Sequence, residues 1–87
     1  MKLVILYHPN DEFSTETETY VEECKKRTNK GVEVLSLDSQ PGAVMADLYG
    51  LVDQPCVVVV RDDGQLMKAW QGKTLPIYDE VMGYLNN

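Results

Sequence analysis

Several features that would identify a function are missing from this chain. Its two cysteines, Cys24 and Cys56, are too far apart for a Cys-x-x-Cys motif, and the single histidine, His8, adds no second ligand at a zinc-binding spacing. Positive charge is also scarce, because 8 Lys and Arg residues stand against 14 Asp and Glu residues, for a formal net charge of −6. No apolar run approaches the roughly 20 residues of a membrane-spanning helix. We therefore expect no metal site, no nucleic-acid partner and no membrane partner.

The composition is that of one small globular domain. With 87 residues, 44% hydrophobic and 25% charged, the chain has room for a single core. The start of the sequence, MKLVILYHPNDEF, has no small-residue cleavage site after its apolar run. We therefore expect a cytoplasmic location, where cysteines remain free thiols. The negative net charge favours a monomer, and nothing in the sequence calls for a cofactor.

Short apolar runs predict four strands. They are expected at Lys2–Tyr7, Val32–Leu37, Val57–Val60 and Gln65–Gln71, where aliphatic and β-branched residues dominate. The last two runs are separated by Asp62-Asp63-Gly64, a sequence that favours a tight hairpin turn. Because the first two strands are joined through a helix, a right-handed crossover should make them parallel.

Helices are predicted between these strands and after the last one. The first has apolar positions at three- and four-residue steps between Phe13 and Thr28, with Ser14 or Thr15 as its cap and Gly31 as a left-handed stop. A short second helix follows the turn Asp38–Gly42 and ends at Gly50, after which Leu51–Pro55 is a connector. The third should hold Pro76 in its first turn and use Leu75, Tyr78, Val81, Met82 and Leu85 as its inner face.

The stretch Leu48–Gly72, LYGLVDQPCVVVVRDDGQLMKAWQG, resembles the thioredoxin-like superfamily. In both, Tyr-Gly precedes a proline and an apolar strand, and an Asp-Gly hairpin and a later glycine follow. The resemblance extends over almost the whole chain. It implies an α/β thioredoxin-like fold, β-α-β-α-β-β-α, in which a central four-stranded mixed sheet is flanked by three helices. It also implies a single domain over residues 1–87 and a cis peptide bond before Pro55.

The chain departs from that superfamily at the place of its redox dithiol. The corresponding stretch after the first strand, His8–Thr15, contains no cysteine. Dithiol chemistry needs a thiolate nucleophile and a neighbouring resolving thiol, and Cys24 is about ten residues further along, about 15 Å at helical rise. We therefore do not expect dithiol–disulfide oxidoreductase activity.

The first functional hypothesis is a redox-inactive module that binds a protein or peptide. In the superfamily, the groove beside the cis-proline holds an extended chain through its backbone, and such a groove can outlast the loss of the thiols. The walls implied by the resemblance are Asn10, Asp11, Glu12, Phe13, Gln54 and Pro55.

Two alternatives remain open. A single-thiol enzyme or redox sensor would use Cys56, which the resemblance places next to the start of the first helix, where a thiol can ionise readily. Alternatively, the acidic first helix docks on a basic partner, and the groove has no role. Three other residues have a possible functional role: His8 as a base, Tyr7 as a catalytic tyrosine and Trp70 as a contact anchor. For each of them a purely structural role is the preferred interpretation.

Overall fold

A mixed sheet forms the centre of the molecule. The computed structural model describes residues 1–86, in which the strands are β1 (Lys2–Tyr7), β2 (Gly31–Ser36), β3 (Cys56–Val60) and β4 (Leu66–Gln71). Their order across the sheet is β2-β1-β3-β4. β1 is parallel to β2, whereas the β1–β3 and β3–β4 pairs are antiparallel. The parallel pair follows from the crossover through the first helix, as predicted.

The three helices cover both faces of this sheet. They are α1 (Ser14–Arg27), α2 (Gln40–Leu48) and α3 (Tyr78–Leu85). On one face, Leu3 and Val57 of the central strands pack in a cluster with residues of α1 and α3 that include Cys24 and Val81. On the other face, Val58 belongs to a cluster against which Leu35, Leu37, Met45, Tyr49 and Leu51 pack. β1 and β3 are buried on both faces because they lie between these two layers, which explains their uninterrupted apolar sequences.

The start of α1 differs from the prediction. Neither Ser14 nor Thr15 caps the helix, since the N-cap is Phe13 and no side chain accepts a capping hydrogen bond there. Instead the Asp11 carboxylate accepts from the Phe13 N–H at 3.0 Å. The predicted caps fail because the chain already turns at Asp11, so that both residues lie inside the helix.

Two more predicted boundaries are wrong. Gly31 is not a left-handed stop but the first residue of β2, because it pairs with Lys2 of β1 and the strand pairing extends to it. Pro76 precedes α3, whose N-cap is Ile77, so it is outside the first helical turn. The carbonyl of Pro76 accepts a 2.7 Å hydrogen bond from the Tyr20 hydroxyl of α1, and this contact fixes the chain before the helix begins.

The second helix is anchored to β2 through its first turn. Ser39 caps it by accepting from the Gly42 N–H at 3.2 Å. Gly42 is buried and lies so close to the backbone of Ser36 that a Cβ atom there would overlap the Ser36 carbonyl. Only glycine allows this approach, and the approach sets the position of α2 over the sheet. Within residues 1–86, no helix is both long enough and apolar enough to cross a bilayer.

Candidate functional site

Two loops meet where β1 ends and β3 begins. One is the segment from His8 to Phe13, and the other is the connector that ends at Pro55. The Gln54 side-chain amide donates a 3.3 Å hydrogen bond to Asp11 Oδ2, while Asp11 Oδ1 accepts from the Phe13 N–H. A single carboxylate therefore ties the start of α1 to the connector. The Gln54–Pro55 peptide bond is cis, the form that the resemblance implies.

A shallow cleft lies between these loops. It is lined by Tyr7, His8, Asp11, Phe13, Ser14, Thr17, Gln54 and Pro55. Four of the six predicted groove residues are thus brought together: Asp11, Phe13, Gln54 and Pro55. The other two, Asn10 and Glu12, are exposed on the preceding loop and take no part in the lining.

The connector is held in place by the end of β4. Gln71 Oε1 accepts hydrogen bonds from the backbone N–H groups of Val52, at 2.7 Å, and Asp53, at 3.0 Å. The Gly72 N–H donates to the Pro55 carbonyl at 3.0 Å. Gly72 has φ 106°, a left-handed conformation, and a Cβ there would meet Asp53 Oδ2 at 3.2 Å. The backbone beside the cleft is therefore fixed by contacts that involve no thiol.

A cationic side chain lies beside the cleft at a position that was not predicted from the sequence. Lys73 Nζ lies 4.7 Å from the centre of the Phe13 ring, a cation–π arrangement. Because the two residues are 60 positions apart in the sequence, no local pattern predicts the contact, which forms when the fold brings the segment after β4 next to Phe13.

Cys56 is in a poor environment for a reactive thiol. Its side chain is 1% exposed, and the S–H donates to the Asp53 carbonyl at 2.8 Å. Burial, with the nearby Asp53 charge, raises the pKa of Cys56 from 9.0 to about 11. Burial likewise raises the pKa of Cys24 to about 11. Both thiols are free and buried, so neither has the exposed, electropositive surroundings of an activated cysteine.

The candidate acid–base residues at the cleft have structural partners. His8 Nδ1 lies 2.8 Å from Asp38 Oδ1, which joins the loop after β1 to the loop after β2. The Tyr7 hydroxyl donates to Glu18 of α1 at 2.7 Å. That hydrogen bond is the main reason why the pKa of Tyr7 is raised, and a raised pKa disfavours an ionised catalytic tyrosine.

The acidic surface of α1 is largely neutralised by its own basic residues. Glu23 pairs with Arg27 at 2.9 Å, and Glu22 pairs with Lys25 at 3.8 Å. Because Glu18 also accepts from Tyr7, the helix offers fewer free carboxylates than the sequence suggests.

Two further candidates have no place at the cleft. Trp70 packs against the core and donates from Nε1 to Glu80 at 3.1 Å, so its ring is not a free contact anchor. Among the described residues, no three His, Cys, Asp or Glu side chains are grouped so that they could hold a metal ion.

The comparison with solved structures identifies the fold. The chain is similar to thioredoxin 1 from the thermophilic eubacterium Thermosipho africanus, with a TM-score of 0.73 over 99% of this chain and 91% of that chain. The two are 13% identical in sequence. No protein-family model matches the chain, and a search of curated proteins also gave no match. The chain thus has a thioredoxin-like fold, as the resemblance implied, and at this identity the likeness extends to the fold alone.

Proposed function

We propose that this chain is a redox-inactive protein of thioredoxin-like fold that binds an extended peptide or protein segment beside Pro55. The observation that carries the proposal is the cleft itself, which the Gln54–Asp11 hydrogen bond holds between the start of α1 and the connector. Its walls are supplied by both loops, and its backbone is braced by Gln71 and Gly72. A preformed cleft of this kind loses little conformational freedom when a ligand enters.

Backbone pairing is the means of recognition that this cleft offers. The Gln54 N–H donates to the side chain of Asp53, its own neighbour, at 2.8 Å. Within residues 1–86, no backbone N–H donates to the Gln54 carbonyl. The Gln54 carbonyl can therefore accept a hydrogen bond from an extended segment, whereas the Gln54 N–H could donate to that segment only by exchanging its Asp53 partner. This is the pairing of β-strand addition, in which main-chain hydrogen bonds supply affinity and side-chain pockets supply specificity.

The absence of redox chemistry is part of the proposal. The stretch His8–Thr15, which borders the cleft and includes the first two residues of α1, holds no thiol. The one cysteine near the cleft, Cys56, is buried and has a pKa raised to about 11. A disulfide exchange step would need an accessible thiolate at this point, and the surroundings of Cys56 disfavour one. These features support binding over chemistry.

The test uses a library of random dodecapeptides displayed on phage, selected against the immobilised protein. Enriched peptides are then synthesised and their Kd measured by isothermal titration calorimetry. Gln54→Ala removes the amide that positions Asp11, and we expect it to weaken binding about fivefold, the equivalent of one net hydrogen bond. Gln65→Ala is the matched control, because Gln65 is exposed in the β3–β4 hairpin and should leave Kd unchanged.

Amide chemical shifts measured by NMR during the same titration locate the contact. We expect the largest changes at Asp11, Phe13 and Gln54, which border the cleft. Peptides that bind the Gln54→Ala variant as tightly as the parent protein, with shifts confined to α1's outer face or to the hairpin, would refute the groove assignment.

A further inference from the structure

A larger depression lies on the other side of the connector, towards α2. Its volume is about 350 Å³, within the range of small-ligand clefts. Its apolar walls come from the residue after β2, from α2 and from the connector, and include Leu37, Ala43, Ala46 and Leu51. We call it the α2-side cavity. It is separate from the cleft on the α1 side, and neither the proposed backbone pairing nor the predicted groove residues explain it.

Two acidic residues border this cavity, and no basic residue pairs with either of them in the part of the chain that the structure describes. Asp47, Asp53 and His8 are among its lining residues, no Lys or Arg is, and Asp53 Oδ1 also accepts from the Gln54 N–H at 2.8 Å. Both aspartates are exposed. The sequence reinforces the asymmetry, because residues 31–60 contain no Lys or Arg at all. The pairing of Glu23 with Arg27 on α1 has no counterpart here.

The two depressions share a wall. Gln54 and His8 line both the cleft and the α2-side cavity. Successive side chains of an extended peptide point to opposite sides. A segment that pairs with the backbone of Gln54 would therefore direct one side chain into the cleft and the next into the α2-side cavity.

We infer that the α2-side cavity receives a Lys or Arg side chain of the bound peptide, an inference that rests on the proposed function. The apolar walls suit the methylene stem of such a side chain, and the carboxylates of Asp47 and Asp53 suit its cationic end. A neutral apolar side chain would form no ion pair with these carboxylates, and an acidic one would be repelled. The partner is thus an extended segment with a basic residue at a fixed distance from the residue that pairs with Gln54.

The same phage-displayed dodecapeptide library tests this inference. Among peptides whose binding depends on Gln54, we expect Lys or Arg to be enriched at one position. Replacing that residue by norleucine, which keeps the stem and removes the charge, should weaken binding about fivefold at low salt, the upper value for an exposed ion pair.

The protein side of the pair is tested with the Asp47→Asn/Asp53→Asn double variant. Asparagine keeps an oxygen that can accept from the Gln54 N–H, so the connector should be preserved. For the basic peptide we expect the same roughly fivefold loss, and for its norleucine form no change. Asp63→Asn is the control, because Asp63 lies in the hairpin at the far end of β3 and also keeps its acceptor for Gln65 N–H.

The outcomes separate the two proposals. Gln54-dependent peptides without a preferred basic position would overturn the inference and leave the groove standing. A basic peptide that loses no affinity in the double variant would overturn it as well, since the basic residue would then bind elsewhere. If no enriched peptide depends on Gln54, both proposals fall together.

Discussion

The thiol of Cys56 should be almost inert in the folded protein. Burial, with the charge of Asp53 as a smaller cause, raises the pKa of Cys56 from 9.0 to about 11. That rise lowers the thiolate fraction about 100-fold at neutral pH, because each pH unit changes the ionised fraction tenfold. The side chain is also only 1% exposed, so an alkylating reagent must wait for the structure to open. The low thiolate fraction and the low exposure both slow alkylation of Cys56.

Alkylation by iodoacetamide at neutral pH, followed by peptide mass spectrometry, measures this directly. A Gln65→Cys variant supplies an exposed reference thiol in the β3–β4 hairpin. We expect Cys56 to react at least about 100-fold more slowly than this reference, from the loss of thiolate alone. Cys24 has a pKa raised to about 11 by burial and should be similarly slow. In denaturant, all three thiols should react at similar rates.

One result would refute this reasoning. If Cys56 reacted within tenfold of the exposed reference while Cys24 stayed inert, the thiol would be accessible and activated in the native state. The single-thiol hypothesis would then replace peptide binding as the first explanation of the site. A reaction of Cys56 and Cys24 at one common slow rate would instead indicate that both are reached only through unfolding.

Three more predictions concern stability. Gly42→Ala should destabilise the protein by about 2 kcal/mol in chemical denaturation, because overlap with the Ser36 carbonyl outweighs the helix propensity of alanine. Tyr20→Phe should cost about 1 kcal/mol, since the 2.7 Å hydrogen bond to the Pro76 carbonyl is lost. Because burial raises the pKa of Cys24 from 9.0 to about 11, the unfolded chain loses this proton first, and the free energy of unfolding should fall across that pH range. The fall should be less steep in Cys24→Ala; an equal slope would contradict this assignment.

Strands were the part of the fold that local sequence could predict. The run at Lys2–Tyr7 has the predicted bounds, and the run predicted at Val57–Val60 begins one residue earlier, at Cys56. These runs are continuous and apolar because β1 and β3 are buried on both faces, so the apolar pattern alone is enough to predict a buried strand. The arrangement of these strands and helices as a thioredoxin-like fold came from the resemblance of Leu48–Gly72 to that superfamily.

The errors arose where distant contacts decide a local structure. The start of α1 is set at Asp11, whose carboxylate also accepts from Gln54, 43 residues away. Gly31 is extended because Lys2 pairs with it across the sheet. In both cases the local pattern pointed to a common motif, a capping box or a glycine stop. At both places the tertiary contact, and not the local pattern, determines the backbone conformation.

The candidate site was likewise predicted only in part. The resemblance brought Asp11, Phe13, Gln54 and Pro55 to one place, because it supplied the topology that sequence alone lacks. It gave no indication of Lys73 over the Phe13 ring. The α2-side cavity was also missed, since α2, the connector and the end of β2 must be assembled before it exists.

The cleft can persist without a dithiol because the contacts that shape it do not involve one. Gln71 holds two N–H groups of the connector, and Gly72 holds the Pro55 carbonyl. At about 0.5–1.5 kcal/mol each, three such hydrogen bonds supply about 1.5–4.5 kcal/mol towards fixing the backbone that a ligand would meet. The residues before α1 contribute a carboxylate to this frame rather than a thiol. The shape of the cleft therefore does not depend on a dithiol, so the proposed binding is compatible with the lack of a thiol in His8–Thr15.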